Sequence, residues 1–274
     1  MKQLPNEFTQ RMQELLGETY PAFEKSLQES PVKGVKLNRK KGDLTALTET
    51  LWGDPIPYGE KGYYDPVEKI GNHPYHHAGV LYVQEPAAMM PPCTVEIPKN
   101  GVVLDLCAAP GGKTVMAADI LATGGTGTVD AGDLTEAKVA LIKENAARCG
   151  LKNVSIRQAD ATVFRKEDEE RFDTVLADVP CSGLGIIGKK PDIKLFMTKE
   201  QQDELCVLQK KILKNAVRYV KPGGVLIFST CTLNQEENMG GYKFLKEECG
   251  MKPESLEPFL SKALWSETTK DGYL

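Results

Sequence analysis

The first chemistry in the chain lies in Val102–Thr114, read as VVLDLCAAPGGKT. Val102, Val103, Leu104 and Leu106 form the short apolar run of a strand buried on both faces of a parallel sheet. The run passes through Cys107 into Ala108, Ala109, Pro110, Gly111 and Gly112, a tight turn of small residues. An amphipathic segment follows at once, with Val115, Met116, Ala118 and Ile120 as its apolar positions. A strand, a glycine turn and a helix start let backbone N–H groups and the positive helix end approach a bound cofactor. Asp133 follows Gly112 by 21 residues and ends the next predicted strand, Gly127–Asp133. Doubly wound folds place there an acid that hydrogen-bonds a cofactor ribose. The turn is not G-x-G-x-x-G, so a nicotinamide dinucleotide is disfavoured and another nucleoside cofactor is expected. Cys181 and Cys231 sit just beyond the ends of two later predicted strands, on the same rim as this turn, where a thiolate could serve as a nucleophile. Cys93, Cys107, Cys149, Cys206 and Cys249 read as small buried hydrophobes.

The elements that must position these groups follow from periodicity and punctuation. Leu4, Phe8, Met12, Leu15 and Leu16 share one helical face, Gly17 stops it, and Phe23 and Leu27 repeat the pattern, giving two short packing helices. Val32–Asp43 crowds Lys33, Lys36, Arg39, Lys40 and Lys41 together, either a solvated hairpin surface or a phosphate contact. Leu51–Gly79, rich in Pro, Gly and Tyr, reads as an ordered connector. Its three histidines, His73, His76 and His77, lack Cys or carboxylate partners at zinc spacing, so no metal is expected. Thr135 caps a helix that Gly150 ends, and Val154–Gln158 and Phe172–Ala177 are the third and fourth strands. A glycine-rich loop with Lys189, Lys190 and Lys194 follows Cys181. Thr198 and Gln201 form a capping box for the longest helix, to Val220, whose stripe of Leu205, Leu208, Ile212, Ala216 and Tyr219 is core. Lys221–Gly224 breaks the pattern, Val225–Ser229 is the fifth strand, and Gln235–Cys249 is a further helix.

LDLCAAPGGKT, together with ADVPCSGLG at Ala177–Gly185 and STCTLNQEEN at Ser229–Asn238, resembles the Nop/Sun family of RNA cytosine-5 methyltransferases, in its bacterial Sun-like branch. The resemblance covers nearly the whole chain. It implies an α/β fold: a doubly wound, mostly parallel Rossmann-like methyltransferase sheet behind a small N-terminal α+β domain. Residues 1–78 would form the RNA-binding domain and connector, and residues 79–274 the catalytic domain. Relatives continue into a further strand after SETTKDGYL, so the sheet is expected to lack its last strand if the chain ends at Leu274. The implied cofactor is S-adenosylmethionine, held by Cys107–Gly112, Lys113, Asp133, Lys138, Asp160 and Asp178, with Asp160 near the adenine. Lys138 stands where relatives often carry arginine, and a lysine makes no planar bidentate contact. Carbon 5 of cytosine becomes nucleophilic only when a thiolate adds to carbon 6. The resemblance makes Cys231 that thiolate and gives Cys181 the release step. Asp178 polarises the ring, Pro180 offers its carbonyl to the exocyclic amine, and Lys113 is the active-site lysine. The basic cluster then reads as an RNA contact.

A formal charge of −4 over 274 residues announces no nucleic-acid binding, so any basic face must be local. Seven cysteines without a C-x-x-C pair argue against a disulfide framework or structural zinc and for a reducing cytoplasm. Neither a leader nor a membrane-spanning run is expected, and a monomer is expected. Residue chemistry leaves two rivals to an rRNA methyltransferase. One is a DNA cytosine methyltransferase attacking through Cys181. The other is a ribosome-assembly or RNA-binding factor that keeps the cofactor fold without turnover.

Overall fold

The computed structural model describes residues 4–41, 53–58, 61–65, 69–193 and 197–274, so Asp43, Lys194 and parts of the expected connector lie outside the described residues. The chain opens with helices α1 (Asn6–Leu16) and α2 (Tyr20–Ser26), and Gly17, at φ 51°, ends the first in a backbone conformation that favours glycine. Phe8, Met12 and Tyr20 are buried, and their partners are Leu184 and Ile187 of the loop that follows Cys181. The expected packing helices therefore brace that loop.

Strands β1 (Gly34–Leu37), β2 (Gly62–Tyr64) and β3 (Leu81–Gln84) form an antiparallel sheet in the order β2-β1-β3. β3 lies beyond the boundary expected after residue 78. Gly34 pairs with Gln84 and Leu37 with Leu81, so β3 belongs to the small N-terminal sheet. Helix α3 (Pro86–Cys93) then leads to the large sheet.

That sheet is built from β4 (Val102–Asp105), β5 (Thr128–Asp133), β6 (Val154–Gln158), β7 (Phe172–Asp178) and β8 (Val220–Ser229). All pairings are parallel and the order is β6-β5-β4-β7-β8. Three helices flank it: α4 (Gly112–Leu121), α5 (Glu136–Arg148) and α6 (Lys199–Tyr219). Alternation along each strand sends neighbours to opposite faces. Val103 and Leu176 pack with Val115, Ala118 and Leu121 of α4, whereas Leu104 and Val175 pack with Ile212, Leu213 and Ala216 of α6. Thr198 and Gln201 form the expected capping box at the start of α6.

β8 begins at Val220, so Lys221–Gly224 lies inside the strand rather than before it; a register shift between Phe172 and Thr174 of β7 absorbs the irregularity. β8 forms one edge, and among the described residues no further strand pairs with it. Helix α7 (Gln235–Lys243) follows and continues as a wider turn over Phe244–Glu248. No helix of the described residues is long and apolar enough to cross a membrane.

Candidate active site

β4 ends in Asp105, and the chain turns through Leu106–Gly111 before α4 begins at Gly112. The Ala109–Pro110 peptide is cis, and Gly111 has φ 110°, a conformation a side chain would strain. Asp133, at the end of β5, is buried beneath this turn. Its Oδ2 accepts the Ala109 N–H at 2.9 Å, its Oδ1 accepts the Leu134 N–H at 2.8 Å, and Lys138 Nζ lies 3.0 Å from Oδ1. The turn and the acid are thus one unit, with Lys138 acting on Asp133. Asp160 is exposed, and its Oδ1 accepts both the backbone N–H and the hydroxyl of Thr162. The Cys107 thiol is held above its ordinary pKa by burial, which keeps it neutral.

Two groups at this turn carried no sequence signal of their own. Asn145 of α5 donates from Nδ2 to the Pro110 carbonyl at 2.8 Å. Asp105 is fully buried, and burial pushes its pKa up to about 6 against the opposing hydrogen bond from Thr114 Oγ1, at 2.7 Å. Its Oδ1 has no hydrogen-bond partner. An orphaned buried acceptor is costly unless something else supplies a donor.

The second half of the site comes from the neighbouring strand ends. Asp178 ends β7 and pairs in register with Ser229 of β8. Ser229 Oγ donates to Asp178 Oδ1 at 2.7 Å, and Lys113 Nζ, from the first turn of α4, reaches Asp178 Oδ2 at 2.6 Å. Cys181 and Cys231 follow these strands, and their sulfurs are 3.1 Å apart. The Cys231 backbone N–H also points at Cys181 Sγ, at 3.2 Å. Hydrogen bonding between the thiols splits them. It pulls the Cys231 pKa below the ordinary thiol value, while the same bond and then burial push Cys181 up. Lys113 and Lys190 reinforce the lowering at Cys231, against burial and the charge of Asp178. Within the pair, Cys231 is the sulfur shifted toward the thiolate and Cys181 the one shifted toward the thiol. Iodoacetamide alkylation of Cys231 should accordingly show a pH midpoint below that of a free cysteine, and Cys181→Ala should move it upward. Peptide mass mapping across a pH series measures both.

Two substrate-contact expectations are corrected. Lys36 is buried, because the β1 register turns it inward. Its Nζ pairs with Asp119 of α4 at 3.0 Å and donates to the Leu37 carbonyl. Arg39, half-buried, joins the same acid through its backbone N–H at 3.0 Å. Both serve the junction between the small sheet and α4, which leaves Lys33, Lys40 and Lys41 exposed. Removing one partner of a buried ion pair strands the other. Lys36→Met should therefore cost about 3 kcal/mol in urea denaturation, whereas exposed Lys40→Met should stay within about 0.5 kcal/mol. The Pro180 carbonyl already accepts Gln209 Nε2 at 2.9 Å, so one of its lone pairs is committed to α6. Of the histidines, His73 Nδ1 accepts the Tyr75 N–H and caps a short helix, and the His76 carbonyl accepts Arg148 Nη1 at 2.6 Å.

This geometry can be set beside known proteins. The family pattern described as 16S rRNA methyltransferase RsmB/F matches residues 92–259, and that described as the N-terminal domain of 16S rRNA methyltransferase RsmF matches residues 4–86. Ribosomal RNA small subunit methyltransferase F of Escherichia coli is 31% identical over 292 residues, covering 98% of this chain and 59% of the relative. The protein of that name from Shigella boydii aligns with the same identity and coverage. This chain thus spans about three fifths of the length of those relatives. Among solved structures, a methyltransferase homologue from Pyrococcus horikoshii superposes with a TM-score of 0.75 at 24% identity, covering 94% of this chain and 87% of that one. NSun6 from the same organism, solved with SFG, gives 0.77 at 22% identity, covering 92% and 89%. These two likenesses show the shared fold. With the family pattern covering more than half of its residues and the motif residues gathered at one rim, the chain belongs to the RsmB/F family of 16S rRNA methyltransferases.

Proposed function

We propose that this chain methylates carbon 5 of a cytosine in RNA, with 16S ribosomal RNA as the substrate, through a covalent bond between Cys231 and the base. The contact between Cys181 and Cys231 beside the Lys113–Asp178 pair carries this reading. S-adenosylmethionine, when bound, supplies an electrophilic methyl group on a sulfonium. The chain's own residues fit that cofactor: Asp105 leaves a buried acceptor without a partner below the turn. Cys107–Gly112, Asp133, Lys138 and Asp160, with Asp178 and Lys113 bordering them, would hold it.

The Cys231 thiolate adds to carbon 6 as a proton passes from the Lys113–Asp178 pair to ring nitrogen N3, with Ser229 holding Asp178 for that transfer. Once carbon 5 is methylated, its proton must leave and the Cys231–carbon 6 bond must break. Cys181, in contact with the attacking sulfur, takes the carbon 5 proton once its own proton has passed to solvent, as Cys231 leaves as a thiolate and N3 returns its proton to the Lys113–Asp178 pair. Pro180 contributes its remaining lone pair to the exocyclic amine.

A base can reach this rim only when unstacked, which favours looped or single-stranded RNA. Lys33, Lys40 and Lys41 are exposed for backbone contact, each neutralised phosphate releasing counterions. Seven free cysteines fit a reducing cytoplasm, and the chain is read as a monomer.

The test is methyl transfer from labelled S-adenosylmethionine to 16S rRNA, free and within the small ribosomal subunit, against transfer RNA and DNA controls. Label at a single rRNA cytosine is the expected result. Label only on DNA, or on no nucleic acid, would overturn the proposal.

A further inference from the structure

A buried carboxyl group joins the two thiol-bearing loops. Glu237, in the first turn of α7, is wholly buried. Its Oε2 accepts the Ser182 backbone N–H at 2.9 Å and Gln209 Nε2 at 2.8 Å. Its Oε1 accepts Asn234 Nδ2 at 3.1 Å and also the Ser182 hydroxyl. With that proton committed to Glu237, Ser182 Oγ receives the Thr232 hydroxyl at 2.6 Å. Ser182 directly follows Cys181, Thr232 directly follows Cys231, and the same Gln209 amide also reaches the Pro180 carbonyl. The residues beside both sulfurs therefore converge on one group supplied by a third element.

No cation of the described residues forms an ion pair with Glu237. Burying a carboxyl group without one is costly, and a site that needed only packing would be served as well by an apolar side chain. The four donors point to a different task. Carbons 5 and 6 of a pyrimidine are bonded neighbours, so two sulfurs that act on one ring must stay within contact distance.

We propose that Glu237 is the positioning residue for the thiol pair, holding Cys181 and Cys231 in contact and so coupling attack to release. The spacing stands apart from the proposed reaction; only its consequence for turnover rests on that reading. Glu237→Gln keeps the shape but turns an N–H₂ group toward two of the four donors.

The probe is phenylarsine oxide, whose arsenic condenses with two neighbouring thiols to form two As–S bonds and release one water. Uptake by the whole chain is followed by intact mass, with Cys231→Ala as the blank. Wild type should capture the reagent at this pair, and Glu237→Gln should bind it about tenfold more weakly as the second thiol's effective concentration falls. In methyl transfer the variant should lose about 10²-fold in kcat, the scale of an ångström-sized misplacement. Its affinity for S-adenosylmethionine should be unchanged and the protein–RNA adduct longer-lived. Should Glu237→Gln fold poorly, Ser182→Ala cuts the hydroxyl link between the loops while leaving Glu237 three donors, and the same direction of change is expected. Unchanged capture by a folded variant would overturn the proposal, as would a loss of cofactor affinity in step with kcat. Wild type that captures the arsenical yet methylates no RNA would sink the functional reading while supporting the positioning role.

Discussion

Cys231→Ala should abolish methyl transfer, by about 10⁴-fold or more, and should leave no covalent protein–RNA band on a denaturing gel. The expectation follows from the division of labour between the thiols. Cys231 lies two residues beyond β8 with its pKa lowered by the Cys181 hydrogen bond, and in the proposed mechanism it is the sulfur that attacks. Without it, carbon 5 stays a poor nucleophile, and no rearrangement of Asp178 or Lys113 substitutes for the carbon–sulfur bond. Cys181→Ala should behave differently. Attack survives at a higher pH because the hydrogen bond that favours the thiolate is gone, but release is slowed and the band persists after the methyl has been transferred. A band lost in Cys181→Ala and kept in Cys231→Ala would reverse the roles and restore the mechanism of a DNA-type enzyme. Equal loss in both variants would mean that the pair acts only as packing.

Asp178→Asn should lower kcat by about 10²- to 10⁴-fold, the usual range for a group that handles a proton or charge at the reacting ring. The carboxyl accepts from Ser229 on one oxygen and pairs with Lys113 on the other. An amide can keep the Ser229 bond but leaves the ammonium of Lys113 without its anion. Since Asp178 also borders the cofactor turn, affinity for S-adenosylmethionine should fall too, by about tenfold, the equivalent of one weakened hydrogen bond. Single-turnover rates at saturating cofactor separate the two losses. A variant whose defect vanishes at saturation would assign Asp178 to cofactor binding alone. Stability should fall modestly, because Asp178 is 31% exposed but Lys113, at 14%, is left mostly buried without its partner.

Much of this site was legible along the chain, because the information is local. A parallel sheet with both faces covered writes its strands as short apolar runs, so β4 to β7 could be placed to within a residue or two. Strand ends in such a sheet share one rim, so Ala108–Gly112, Asp133, Cys181 and Cys231 could be expected together before any coordinates, and the family resemblance added Asp178. The capping box at Thr198 and the stop at Gly17 depend on neighbours within one turn, and both occur as expected.

What tertiary structure alone decided depends on partners far apart in sequence. Lys36 looked like one more surface charge among Lys33–Lys41. Its role changed because Asp119, 83 residues away, waits on α4, and a buried acid draws a cation out of water. β3 joined the N-terminal sheet because hydrogen bonding to β1 outweighed its proximity in sequence to the catalytic domain. The roles of the cysteines are of the same kind. Residue type gave two thiols at neighbouring strand ends, but which one is shifted toward the thiolate depends on a 3.1 Å contact across 50 residues, and Glu237 holds Ser182 beside that contact. Periodicity and turn chemistry act over a few residues and can be read from the chain; burial and pairing across the fold set the charge states, and those exist only once the loops meet.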